Sequence, residues 1–144
     1  MDITNFFEND LAKLATEISL FKDEKSLWKT KEGITNSAGN LALHITGNLN
    51  HFIGKTMGNT DYVRNRDGEF SFKDIPRDQI ISGINKVKEI IKNTLPKLSP
   101  ADLQKDFPIK IREEVYSTQN MLIYLLAHLN YHLGQINYLR RIIN

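Results

Sequence analysis

The sequence has 144 residues, 40% of them hydrophobic and 25% charged, with a formal net charge of +2 and no cysteine. That size suits one domain, 1–144, around one core, and the balanced, interspersed charge gives no electrostatic footprint for a nucleic-acid partner. The absence of cysteine removes disulfides, thiolate ligands and a cysteine nucleophile together, so any bound metal must use histidine, carboxylate, amide or water.

The N-terminus, Met1-Asp2-Ile3-Thr4-Asn5, lacks the basic-then-apolar pattern of a secretory signal, and no run of eighteen apolar residues offers a membrane span. A cytoplasmic protein with no membrane partner is therefore expected. The first helix should run from about residue 2 to 21. There Ile3, Phe7, Leu11, Leu14, Ile18 and Phe21 recur at steps of four and three, as one buried face requires. Asp23-Glu24-Lys25 ends the pattern, and Ser26-Leu27-Trp28 forms a short turn with Trp28 expected as a core plug rather than a substrate platform. Asn36-Ser37 caps a second helix, about 38–57, whose apolar face is Leu41, Ile45, Leu49 and Phe52. His44, Asn48 and His51 line the edge of that face. Gly47 and Gly54 sit on another side, where they permit close packing of a neighbouring helix or subunit.

Residues 58–74 form a connection long enough to suggest a function. Within it, Arg64 and Arg66 are candidates to grip an anion, against the plainer reading of a solvated loop pinned by Arg–Asp and Arg–Glu pairs. Pro76 suits the first turn of a third helix reaching about residue 94, with Ile80, Ile84, Val87, Ile91 and Leu95 inward and Pro96 at its end. Ser99-Pro100-Ala101-Asp102 is a capped helical turn. The alternation in 107–112 reads as extended chain, one arm of a small hairpin with 114–117. Ser117 or Thr118 caps the last helix, about 119–142, which buries Met121, Leu122, Leu125, Leu129, Leu133, Ile136, Leu139 and Ile143. Four long amphipathic helices and little else imply an all-α helix bundle.

Chemistry concentrates on the last helix. His128 and His132 are four apart, so their imidazoles share one side, one turn apart, and can chelate one ion. On a 3.6-residue wheel His132 lies about 40° and Gln135 about −20° from His128, beside the apolar stripe. A partly buried pair of this kind needs a carbonyl, a carboxylate or a metal to satisfy it. A third imidazole could come from His44 or His51, which lie about 10.5 Å apart along the second helix. Chemistry alone does not choose between them. Either choice completes the three-imidazole set of catalytic zinc sites, with a fourth position open, although such sites also suit nickel, copper and iron. Other catalytic patterns fail. Leu129 follows His128, so this is not H-E-x-x-H, and no G-x-S-x-G, P-loop or G-x-G-x-x-G is present. Paired carboxylates at an apolar cleft are not evident either.

One histidine in Asn40-Leu41-Ala42-Leu43-His44-Ile45-Thr46-Gly47-Asn48-Leu49 and two in His128-Leu129-Asn130-Tyr131-His132-Leu133-Gly134-Gln135-Ile136 together resemble the DinB/YfiT-like metalloenzyme superfamily. The loop 62–70, with Arg64, Arg66, Asp67, Glu69 and Phe70, is similar to one in a subgroup of small bacterial members. The resemblance spans nearly the whole chain. It implies a four-helix bundle with up-down-down-up connectivity, and His44, His128 and His132 as ligands of a divalent nickel, zinc or iron ion. It leaves His51 as a rim residue or a support behind the site. It further implies a homodimer and, from characterised relatives, a transferase or isomerase using a low-molecular-weight thiol such as bacillithiol or mycothiol on a small-molecule substrate. In such an enzyme the ion would lower the pKa of a thiol, or of water in a metal-dependent hydrolase. A non-catalytic metal-binding or dimeric helical module is the remaining alternative. Gln135 would orient His132, Asn48 would do the same for His44, and Tyr124 would face substrate. No residue is singled out as the catalytic acid or base.

Overall fold

Side-chain caps start most of the α-helices of the computed structural model, which describes residues 2–144. The Asp2 carboxylate accepts from the Thr4 N–H and opens α1, Ile3–Ser19. Ser37 accepts from the Asn40 N–H and opens α2, Ala38–Leu49, and Ser117 accepts from the Asn120 N–H at the head of α6, Thr118–Ile143. Between them lie α3, Arg66–Ser71, α4, Arg77–Thr94, and α5, Pro100–Gln104. The architecture is all-helical, with no strand among the described residues. No helix is long and apolar enough to cross a membrane.

The apolar faces read from the sequence converge on one core. Phe7, Leu11, Leu14 and Ile18 of α1 meet Ile84, Val87 and Ile91 of α4 and Met121, Leu125, Leu129 and Ile136 of α6, all fully buried. Polar ties set the directions. Asn130 donates to Asp10 at 2.7 Å, Asn137 to Glu17 at 2.8 Å and Asn144 to the Leu20 carbonyl at 2.9 Å, so α1 and α6 run the same way. Arg77, at the start of α4, donates to the carbonyls of Ser19, the last residue of α1, and of Phe21 just past it, so those two helices run oppositely. Gly54 lies against Ile90, and Gly58 against Thr94, which aligns α2 with α4.

Three departures from the sequence reading matter. The second helix does continue past residue 49, but as a π-helical stretch, Asn50–Lys55, with the Thr56 N–H bonded to the His51 carbonyl. Phe52 and Ile53 are both buried along this stretch. The 58–74 connection is not loop throughout. Asn65 accepts from the Gly68 N–H and nucleates α3, a helix too short to show a period. Trp28 is only partly buried, its ring flat against Gly39 and its indole N–H without a partner. The expected hairpin forms as two isolated antiparallel bridges, Asp106 with Ser117 and Ile111 with Glu114. Its turn places Arg112 and Glu113 at φ 50° and 67°, the pair of left-handed residues that a type I′ turn requires.

Candidate metal centre

Burial of the α6 stripe fixes where its histidines point. With Leu125, Leu129 and Leu133 in the core, His128 and His132 are carried to the edge of the α2–α6 seam, both half-buried, and His44 on α2 is buried opposite them. The Nε2 atom of His128 lies 3.1 Å from His44 Nε2 and 3.1 Å from His132 Nε2. One donor atom from each ring falls within 4.8 Å of the other two, and the three residues could hold a metal ion. An ion about 2.0–2.1 Å from each nitrogen holds its ligand nitrogens roughly 2.9–3.4 Å apart, and both distances to His128 Nε2 fall in that range.

The far side of each ring decides which nitrogen carries its proton. His44 Nδ1 is 2.9 Å from Glu69 Oε1, and a carboxylate only accepts, so Nδ1 holds the hydrogen and Nε2 keeps its lone pair. His132 Nδ1 donates to Gln135 Oε1 at 2.7 Å, with the same result. Two lone pairs therefore face His128 Nε2, which has at most one N–H to offer. A cation satisfies all three nitrogens together, and the donor set fits one.

Glu69 makes the Arg–Glu pair expected of the 58–74 connection, and it also reaches His44, which nothing in the sequence indicates. It is 5% exposed, and Arg64 clamps it with Nε on Oε2 and a terminal nitrogen on Oε1, each at 2.9 Å. Burial would raise its pKa, but the hydrogen bonds from His44 and Arg64 and the Arg64 charge outweigh that and hold it below the usual carboxylate range. Gly47 makes room for it: a Cβ there would stand 2.0 Å from Glu69 Oε2. The short helix α3 is fastened to α2 by Asn40, whose amide donates to the Glu69 and Phe72 carbonyls at 3.0 and 2.8 Å. Phe70 from the same helix covers the His44 ring, centroids 4.8 Å apart, and Arg66 packs on Phe70 at 5.5 Å. Arg64 thus grips an anion, but that anion is the chain's own Glu69.

The remaining sequence candidates lie as follows. Gln135 stands behind His132, as its wheel position implied. Asn48 is buried with Oδ1 unpaired, and the support for His44 comes from Glu69 instead. His51 is outside the three-histidine group, edge-on to Phe52 with its Nδ1 buried and unpaired. Tyr124 stacks on Tyr116 of the hairpin, ring centroids 5.9 Å apart. Beside His132 and Gln135 opens a cleft of about 500 Å³, walled by the 33–36 loop, Leu41 and the last turns of α6.

Burial and then the neighbouring His132, His44 and Arg64 push the His128 pKa down to about 4, and burial lowers His132 as well. Both rings are neutral lone-pair donors at pH 7. In the unfolded chain they take up protons near pH 6.5. Between pH 6.5 and about 4 the unfolded state therefore binds more protons, and metal-free protein loses stability as the pH falls through that window. Melting temperatures in chelator-treated buffer should drop steadily from pH 7 to 4, and the slope should be shallower for His128→Gln. A flat profile would show that the rings are not held neutral by the fold.

Over residues 5–144 the chain matches a family model described as "Protein of unknown function (DUF1572)". No curated protein matches it.

Proposed function

We propose that this chain, which belongs to the DUF1572 family of proteins of unknown function, is a metal-dependent enzyme whose ion is held by His44, His128 and His132. One observation carries the reading: His128 Nε2 lies 3.1 Å from both His44 Nε2 and His132 Nε2, whose lone pairs are fixed inward by Glu69 and Gln135. We also place the family in the DinB/YfiT-like superfamily. The four long helices are then a bundle with up-down-down-up connectivity, which agrees with α1 running alongside α6, α2 alongside α4, and α4 opposite to α1.

An enzyme is favoured over a structural metal site by the ligand count and the cleft. Among the described residues no fourth side chain joins the three-histidine group, and the cleft reaches His132 from outside. A bound divalent nickel, zinc or iron ion would supply a Lewis acid that lowers the pKa of a thiol or a water molecule. The protein's part is positional. Glu69 and Gln135 fix the ring tautomers, Arg64 fixes Glu69, and Phe70 covers the His44 side so that exchange is directed to the cleft. By resemblance to thiol-dependent members of that superfamily, we take the reaction to be transfer of a low-molecular-weight thiol to an electrophile, and in a chain with no cysteine that thiol would come from outside. Hydrolysis is the second reading, because the same open position accepts water.

Protein purified without a histidine tag should carry about one ion per chain. After chelation, added nickel, zinc or iron at about 100 times its dissociation constant should add roughly 2.7 kcal/mol of stability, seen as a higher melting temperature. No stoichiometric ion together with an unmoved melting temperature would remove the metalloenzyme reading. Thiol-dependent changes in the spectrum of cobalt-loaded protein would separate transferase from hydrolase.

A further inference from the structure

The wall of the cleft beside His132 is unusual for a chain in which 25% of residues are charged: none of its lining residues is Asp, Glu, Lys or Arg. Ile34 and Leu41 line one side, and Tyr131, Tyr138 and Ile142 of α6 line the other. The two tyrosines are 64% and 66% exposed, the largest aromatic surfaces that α6 offers to solvent. They stand four residues before and three after Gln135, so both flank its amide on the same side of the helix. The Arg141 guanidinium packs on the Tyr138 ring, 5.3 Å from its centroid, and is not part of the wall. Gln135 has its oxygen engaged by His132, which leaves its amide N–H groups as the polar function it turns to a ligand.

We propose that this cleft binds the acceptor substrate, and that the acceptor is an uncharged small molecule with an aryl or alkyl body and a hydrogen-bond acceptor such as a carbonyl oxygen. The assignment rests on the reading of the three histidines as the reactive centre, and it specifies what approaches them. An ionised ligand would lose its hydration against Ile34, Leu41 and Ile142 and find no charged side chain in the wall. An aryl body would lie between the tyrosines, with its carbonyl on the Gln135 amide beside His132. The volume of about 500 Å³ limits the occupant to a small molecule rather than a peptide helix.

Benzamide, benzoate and benzylamine share one ring and differ in charge. Each is titrated into metal-free protein, where a carboxylate gains nothing from an ion, while the tyrosine ring resonances are followed by NMR. Benzamide is expected to bind at least tenfold more tightly than either ion, with shifts at Tyr131 and Tyr138. Ile142→Trp, which fills the cleft from its exposed rim, should weaken benzamide at least tenfold and leave metal uptake unchanged, and Thr35→Trp should do the same from the opposite wall. Equal or tighter binding of an ionic analogue, no binding of benzamide, or binding indifferent to both tryptophans would overturn the proposal. So would concentration-dependent burial of the two tyrosines by a second copy of the chain. Benzamide binding without metal uptake would instead remove the enzyme reading and leave the cleft's preference standing.

Discussion

Single replacement of His44, His128 or His132 by Ala is expected to abolish tight metal binding, whereas His51→Ala should leave it unchanged. On the proposed reading the three rings offer donor atoms within 4.8 Å of one another, and two donors cannot replace a fixed third. The loss should exceed the roughly 10–100-fold that removing a supporting residue costs. The metal-free variants add a test that a merely structural role would fail. His44→Ala leaves the buried Glu69 with only Arg64 as partner, so it should destabilise the protein with or without an ion. His128→Ala relieves a ring whose Nε2 cannot satisfy both neighbouring lone pairs. Its cost in metal-free protein should therefore be small, and its cost in metal-loaded protein large. Isothermal titration with zinc and urea unfolding with and without the ion give both numbers. Retained affinity in His44→Ala, with loss in His51→Ala, would transfer the third ligand to the π-helical segment.

The helices and the histidine pair were legible because both depend on period alone. A stripe at steps of three and four places Leu125, Leu129 and Ile136 in the core, and the same arithmetic puts His128, His132 and Gln135 on one edge. Choosing His44 over His51 was beyond spacing, since a regular helix turns both the same way. Resemblance favoured His44, and the structure adds a reason: His51 lies inside the π-helical stretch, where wheel angles for a regular helix no longer hold. The Arg–Glu pair within the connection was legible, but the contact of Glu69 with His44 was not, because it arises from chain folding back over a connection with no periodic signal. Its only local traces were an acid five residues after Arg64 in a long loop, and Gly47, three residues after His44, where a side chain would have closed the space. Spacing points to Asn48 as the support for His44, because it lies one turn away on the same helix. The carboxylate that fills that role comes from 25 residues along the chain.

Gly47→Ala isolates that contact without touching either partner. Elsewhere in a helix the change stabilises by up to about 1 kcal/mol, because alanine is the better helix former. Here the new methyl would meet Glu69 Oε2 at 2.0 Å, and the carboxylate is pinned by Arg64 on one side and His44 on the other. Overpacking of this kind costs about 1–3 kcal/mol, so the sign of the stability change should reverse. Displacing the carboxylate also frees the His44 ring to rotate and change tautomer, which should weaken metal binding by about 10–100-fold. Glu69→Ala alone should lower affinity similarly and destabilise further, because Arg64 is left half-buried and unpaired. Adding Gly47→Ala to Glu69→Ala should then cost nothing, or restore a little stability through helix propensity. That reversal is the signature of direct contact. A Gly47→Ala protein that is more stable than the parent and binds zinc equally well would mean the carboxylate can leave His44 freely, and the restraint assigned to Glu69 would have to be given up.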